Sequence, residues 1–297
     1  MGYLLLVLAT VSYALGIVAQ TVAAQRSAPR GGLDVGLLSR LARDRVYLVG
    51  FASQCLGFVL AFFARADLPL FLVQAGTSSA VGLATVVGAT FLGWRIRPLE
   101  IGVLVFLACG IVLLVGAAEP GPSHDLSTGS ALGLTAAAVV ALLVAVPAGR
   151  VRGPRGAVVL GLLAGVEFAI LAIASRPLAV KPLLELVVEP TAWLMIASAF
   201  AGQCLLAAGL QRGTATATVA SMDSMTTLIA SGFGLFVLGD LVAPGRVAWL
   251  LAGLVLVILG VVAMSIVTGR SARPVEAIPP LEETASMPLR AVAQENQ

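Results

Sequence analysis

The stretch from Leu68 to Pro98 reads LPLFLVQAGTSSAVGLATVVGATFLGWRIRP, and it decides the fold of this chain. It is an apolar run of helix length with a polar group, Gly76-Thr77-Ser78-Ser79, near its middle. A second run, from Thr214 to Pro244, reads TATATVASMDSMTTLIASGFGLFVLGDLVAP and repeats the first 146 residues later. Aligned without a gap, the runs agree at Val73/Val219, Ser78/Ser224, Ala84/Ala230, Gly88/Gly234, Leu92/Leu238, Gly93/Gly239 and Pro98/Pro244. Weak repetition within an apolar chain is typical of transporters built from two related halves.

The composition of the chain excludes a water-soluble protein. Of 297 residues, 59% are hydrophobic and 11% are charged, whereas a soluble domain carries about 25% charged residues. The net charge of +3 comes from arginines that lie between apolar runs, where they set membrane orientation, so nucleic acid is not expected as a partner. Cys55, Cys109 and Cys204 all lie inside apolar runs, which predicts neither a disulfide framework nor a metal motif.

The apolar runs predict about nine membrane-spanning helices. A bilayer core of about 30 Å needs roughly 20 apolar residues in helical form, and strands with open edges cannot satisfy their backbone groups in lipid. The predicted spans cover residues 3–23, 46–64, 69–93, 99–118, 130–149, 157–175, 191–210, 214–238 and 247–268. The apolar N-terminus predicts a first spanning helix and not a cleaved signal peptide.

The basic residues predict the orientation of the chain. One side of the membrane collects 14 of the 18, namely Arg26, Arg30, Arg40, Arg43, Arg45, Arg95, Arg97, Arg150, Arg152, Arg155, Arg212, Arg270, Arg273 and Arg290. The other side has Arg65, Arg176, Lys181 and Arg246. The positive-inside rule then puts the N-terminus outside and the C-terminus in the cytoplasm, in a plasma (inner) membrane. An odd number of spans agrees with that crossing.

Further matches extend the repeat to four helices in each half. Gln54-Cys55-Leu56 recurs as Gln203-Cys204-Leu205, and residues 8–14 resemble residues 163–169. The prediction is a first repeat at 1–118, a connecting helix with its loops at 119–156, a second repeat at 157–269 and a disordered cytoplasmic tail at 270–297. Because one odd helix separates the copies, they should have opposite orientations, the arrangement expected for alternating access.

The run from Gln54 to Pro120 resembles one half of a drug/metabolite transporter superfamily protein. Halves in that family end in an apolar helix, a short turn similar to LGE-R, and a last helix with spaced glycines. This chain has Leu92-Gly93-Trp94-Arg95 and Leu238-Gly239-Asp240 at the turns, followed by Gly110 and Gly116 and by Gly253 and Gly260. At the first turn Trp94 stands where the family usually has an acid. The nine-span plan is similar to the NIPA-like magnesium transporters and to EamA-like ten-span members without their first helix.

Two carboxylates fall near the middle of predicted spans. Glu167 is the eleventh residue of the sixth span and Asp223 is the tenth of the eighth. A charged side chain at this depth costs at least about 2.5 kcal/mol and normally faces a cavity, a partner or an ion. No Lys or Arg falls inside the predicted spans to neutralise either one. They are expected either to bind a coupling ion, proton or substrate cation, or to be protonated and hydrogen-bonded for packing.

Other polar residues of the spans are candidates for lining a solute path. They are Gln20, Gln54, Gln74, Gln203, Thr77, Ser78 and Ser224. Hydrogen bonding between helices, worth about 0.6 kcal/mol on average, is the alternative role for any one of them. The third and eighth spans carry the stronger signal because they are repeat mates.

The function favoured by these features is secondary transport of a small solute by alternating access, with proton coupling through Glu167 or Asp223. The NIPA-like resemblance implies Mg²⁺ as an alternative cargo, for which the two carboxylates would supply oxygen ligands. A non-coupled lipid flippase or scaffold protein is a second class. Neither a P-loop nor a nucleophile motif is present, so an enzyme is not expected, and no cofactor is implied. The expected partners are the bilayer and a small molecule or ion; the oligomeric state is left open.

Overall fold

The structure is a computed structural model that describes residues 1–27, 44–93, 96–121, 124–151, 153–182, 184–211 and 215–271. Trp94, where the resemblance departs from its family, lies outside these residues. So do most of the predicted 24–45 loop and the predicted tail beyond Ser271.

The described part of the chain is mainly helical. The helices are α1 Gly2–Ser27, α2 Arg45–Asp67, α3 Leu70–Ser78, α4 Ala80–Leu92, α5 Pro98–Ala117, α6 Thr128–Ala148, α7 Pro154–Leu178, α8 Pro190–Leu210, α9 Ala215–Phe236 and α10 Val247–Ser271. A single 3-10 turn covers Glu185–Val187. Two short antiparallel strands, β1 Ala118–Glu119 and β2 Leu241–Val242, pair with each other.

Eight helical segments within the described residues are long and apolar enough to cross a membrane, α3 and α4 together forming one of them. The chain is therefore an all-helical, polytopic integral membrane protein. The eighth predicted span corresponds to α9, which has 22 residues but is not among the eight. Its threonines, serines and Asp223 dilute its apolar content. The count of nine spans stays a prediction.

Local sequence explains where several helices begin and end. Asp44 caps α2, because its Oδ1 accepts hydrogen bonds from the backbone N–H groups of Val46 and Tyr47 at 2.7 and 3.1 Å. Pro98 is the first residue of α5, where its missing N–H costs nothing. Gly93 ends α4 with φ +67°, and its repeat mate Gly239 has φ +72°. Glycine adopts this left-handed conformation without the Cβ strain that other residues meet.

The predicted third span is interrupted at its polar group. Ser79 separates α3 from α4, and the Gly76 carbonyl accepts hydrogen bonds from two hydroxyls, Ser79 Oγ at 2.6 Å and Thr10 Oγ1 at 3.2 Å. Hydroxyl groups can satisfy backbone groups that a broken helix leaves free within a membrane. The polar group near the middle of the Leu68–Pro98 stretch is thus a helix break supported by α1.

Two predicted loop boundaries are wrong. Arg65 was expected in a polar break and Arg176 at the start of an external segment, but they lie in the last turns of α2 and α7. Their exposed fractions are 4% and 1%. Both helices continue because tertiary partners bury these side chains, which the apolar pattern does not reveal. The chain consequently has two buried cations inside its helices.

Packing makes the broken third span and α7 the centre of the bundle. In each, 67% of the apolar window is buried inside the protein, against 22% to 44% in the other six. Helix α1 packs along α2, and α7 packs along both α8 and α9. Helix α3 also contacts α9, and α5 contacts α10. Every residue of α3 except Thr77 is buried.

Candidate functional site

A buried contact between two hydroxyl groups lies between α3 and α9. Ser78 Oγ and Thr227 Oγ1 are 3.4 Å apart, and both residues are buried. Gln74 is buried one turn earlier on α3, while the half-buried Thr77 donates to the carbonyls of Val73 and Gln74. Helix α9 therefore carries polar side chains toward the break in the third span.

Asp223 extends this polar contact. It precedes Thr227 by four residues, so the two side chains lie on one face of α9, the face directed at α3. Its side chain is half-buried, and within the described residues it has neither a hydrogen bond nor an ion pair. The neighbouring Ser224 Oγ is buried without a hydrogen-bond partner. A carboxylate and a hydroxyl without protein partners are available to bind a proton, an ion or a solute.

Two glycines set the position of α9. A Cβ added at Gly161 would fall 2.5 Å from the Thr218 carbonyl oxygen, and one at Gly165 would fall 2.6 Å from that of Met222. The Thr226 hydroxyl donates to the Gly165 carbonyl at 3.1 Å. The Gly161-x-x-x-Gly165 motif therefore lets α7 approach the backbone of α9 closely.

Glu167 is fully buried on another side of α7. The Ser198 hydroxyl of α8 lies beside its carboxyl group, and neither group has another hydrogen-bond partner among the described residues. At 100° per residue, Glu167 is about 200° around α7 from Gly165, the residue that faces α9. The helix geometry thus directs Glu167 toward α8 and away from the Asp223 helix. The structure does not bring these two predicted site residues together.

The remaining glutamines fall into different environments. Gln54 Nε2 on α2 is 3.5 Å from Gln20 Oε1 on α1, and both are half-buried. Gln203, the sequence match of Gln54, is exposed on α8. Gln54 and Gln20 therefore form a separate polar pair between the first two helices, and Gln203 lies on the outer surface of the bundle.

One end of the bundle is closed by a buried ion pair that sequence reasoning missed. Arg176 Nη2 lies 2.8 Å from Asp240 Oδ1, with side chains 1% and 0% exposed. Asp240 Oδ2 accepts the Leu70 N–H at 2.5 Å, at the start of α3. Burial raises the pKa of the Asp240 carboxyl, while Arg176 and the N–H groups of Leu70 and Phe71 lower it.

The backbone carbonyls of Leu68 and Gly121 complete this closure. Arg176 Nη1 donates to the carbonyl of Leu68, and Nη2 lies 3.4 Å from that of Gly121. The Gly121 N–H in turn donates to the Asp67 carbonyl at 3.0 Å. The contacts join the end of α2, the start of α3 and the 119–121 segment to α7 and the segment after α9. Two separate hints were present in the sequence: Arg176 directly follows a predicted span, and Asp240 stands where the similar turn usually has an acid.

No cluster of three or more His, Cys, Asp or Glu residues suited to a metal ion occurs in the part of the chain that the structure describes. Comparison of the chain with protein-family models, with curated proteins and with solved structures finds no match in any of the three.

Proposed function

We propose that the chain is a secondary transporter of the drug/metabolite type, which moves a small solute across the plasma membrane by alternating access. One observation carries the proposal: Asp223, which has no partner among the described residues, lies one turn from the Ser78–Thr227 contact at the break of the third span. Transporter sites typically combine a discontinuous helix, an intramembrane acid and the interface between two repeats.

Contacts between α5 and α10 support a two-fold relation between the halves. A Cβ at Gly253 would meet the Leu114 side chain, and one at Gly260 would meet that of Leu107. The 146-residue offset of the repeat relates Leu107 to Gly253 and Leu114 to Gly260, so each contact is the image of the other. Antiparallel helices packed at equivalent depths are expected if an axis in the membrane plane relates them.

In each half an aromatic ring packs over a glycine of the neighbouring helix, and the two rings, although not the two glycines, occupy matched positions. The Tyr13 ring packs over Gly57 between α1 and α2, and the Phe168 ring packs over Gly202 between α7 and α8. Tyr13 and Phe168 occupy matching positions in the 8–14 and 163–169 segments. We therefore include α9 as the ninth span, which puts the N-terminus outside and the C-terminus in the cytoplasm.

In the proposed mechanism the Arg176–Asp240 closure is the outer gate. It links both halves at the end of the bundle that includes Met1, so this conformation is closed to the outside. A proton or cation on Asp223 would remove the cost of an isolated charge and allow the halves to rock about the polar site. Glu167, on a different face of α7, would take part as a second protonation site facing α8.

The test uses proteoliposomes that contain a pH-sensitive dye and are exposed to pools of small metabolites and drugs. Solute-triggered proton movement should occur with the wild type and be lost in Asp223→Asn. Glu167→Gln tests the second site in the same way. Glu119→Gln, which neutralises an exposed acid in β1, is the matched control and should behave as the wild type.

The alternatives predict different results in the same vesicles. A NIPA-like transporter would admit Mg²⁺ to an enclosed indicator under an inward gradient, without moving protons. A flippase or scaffold would show no solute response, and Asp223→Asn would leave lipid movement unchanged. Active vesicles in which both acid variants match the wild type would refute coupling through these carboxylates.

A further inference from the structure

Two arginines lie side by side at the gated end of the bundle, but their partners differ. Arg176 has a carboxylate, Asp240, and carbonyl oxygens of Leu68 and Gly121 around its guanidinium. Arg65 is 4% exposed, and within the described residues its side chain makes one hydrogen bond, from Nη1 to Ser175 Oγ at 3.1 Å. Its Nε is buried without a hydrogen-bond partner. A guanidinium has five donors and keeps its charge, so most of its bonding capacity is unused.

No carboxylate of the described residues neutralises Arg65. Asp67, two residues on, is half-exposed and accepts a hydrogen bond from the Gly2 N–H at 3.0 Å. Asp240 forms its ion pair with Arg176. Glu167 is eight residues before Ser175 on α7, which is about 12 Å along a helix. The ionisable groups that face Arg65 are Tyr13 and the like-charged Arg176. The cluster thus holds two cations for one anion.

We propose that Arg65 binds a monovalent carboxylate of the transported solute, just inside the outer gate. The assignment to a solute rests on the proposed transport function, whereas the anion site itself does not. A buried cation without a counter-charge is costly, and an anion with two oxygens would offset that cost. The guanidinium donates two parallel hydrogen bonds to a planar carboxylate, which fits the free Nε edge of Arg65.

The location also fits a solute path. Arg65 lies on α2 against α7, and Tyr13 of α1 faces it. Its backbone carbonyl is 3.4 Å from Arg176 Nη1, so a solute at Arg65 would touch the gate residues. Opening the Arg176–Asp240 pair would expose the site from outside. The solute class predicted by this charge is a small organic acid or a zwitterion.

The experiment measures thermal unfolding of the purified full-length protein in detergent, with sodium acetate as the probe. Sodium chloride tests an inorganic anion, and the sodium salt of the bulky buffer anion MES keeps ionic strength equal. Acetate should raise the unfolding midpoint of the wild type in a saturable way, and Arg65→Gln should abolish the rise. Arg65→Lys should bind acetate roughly tenfold more weakly, because one charge-assisted hydrogen bond is lost. Arg246→Gln, an exposed arginine at the same end, should keep the full response.

Each other outcome overturns part of the proposal. No acetate response in the wild type, or an equal response in Arg65→Lys and wild type, removes the site. A chloride response equal to that of acetate removes the assignment to a carboxylate. Acetate binding by a protein that transports nothing would leave the site standing and refute the transport function. Proton-coupled transport that is unchanged by substitution of Arg65 would leave the transport function standing and refute the assignment of Arg65 to the solute.

Discussion

Replacing Arg176 by methionine tests whether the outer gate is a buried electrostatic closure. The change leaves Asp240 without its cation and removes the donors to the Leu68 and Gly121 carbonyls. Breaking one side of a buried ion pair costs about 3–5 kcal/mol of stability. We expect a loss of that size at neutral pH, measured by unfolding in mixed micelles with increasing dodecyl sulfate and followed by circular dichroism.

The loss should depend on pH. Arg176 lowers the pKa of Asp240, so the variant raises that pKa further above the ordinary aspartate value of about 3.9. A carboxyl with a raised pKa in the folded state contributes stability that is complete below its unfolded pKa and is lost as pH rises through the folded value. The loss in free energy of unfolding of Arg176→Met relative to the wild type should therefore grow from acid to neutral pH. Adding Asp240→Asn removes the titrating group and should recover most of the loss.

An exposed ion pair supplies the control. Lys181 and Glu189 also form a salt bridge, and their side chains are 29% and 27% exposed. Their hydrogen bond raises the pKa of Lys181. Lys181→Met should cost less than about 1 kcal/mol, as is usual for exposed pairs. A cost of Arg176→Met no larger than that of Lys181→Met, or one that is the same from acid to neutral pH, would contradict a buried electrostatic closure.

Three further predictions concern a close helix contact, a pair of hydroxyl groups and a helix cap. Gly161→Ala should destabilise the same micellar unfolding equilibrium by about 1–3 kcal/mol, because its Cβ meets the backbone of α9. Gly133→Ala, with nothing within 4 Å, should be neutral or stabilising, and equal effects would contradict the close approach. A double-mutant cycle of Ser78→Ala and Thr227→Val should give a coupling of about 0.6 kcal/mol; zero coupling would place their hydroxyls apart. Asp44→Ala should lower the free energy of unfolding in the same assay by about 1 kcal/mol, because the α2 cap is lost. An unchanged free energy of unfolding would show that the cap does not stabilise the protein.

Much of the architecture was predictable because lipid imposes strong rules on composition. Apolar runs of the right length located eight spans to within a few residues, as for α8, predicted at 191–210 and found at Pro190–Leu210. The helix break at Ser79 was not predicted: the sequence indicated one span over residues 69–93, and only the structure shows that the polar group near its middle interrupts the helix. Gly93 and Gly239 occupy matching positions of the repeat, and both have the left-handed backbone conformation.

The site was less predictable because hydropathy does not give the direction of side chains. Glu167 and Asp223 occupy similar depths, but helix rotation directs one toward α8 and the other toward α3. Arg65 and Arg176 were assigned to loops because a charged residue normally ends an apolar run. Their burial depends on Ser175 and Asp240, which are distant in sequence, and no local pattern contains that information.

In the proposed mechanism the polar site at α3 and α9 opens to each side of the membrane in turn. The direct measurement is labelling of Ser224→Cys by a membrane-impermeant maleimide, with Cys55, Cys109 and Cys204 replaced by alanine. In vesicles of known orientation, alternating access predicts labelling from both sides, with the balance shifted by a proton gradient. A chain that keeps only Cys204, which is exposed on the outer surface of the bundle, should be labelled from neither side because a thiol in lipid stays protonated. Labelling of Ser224→Cys from one side alone, whatever the gradient, would contradict alternating access.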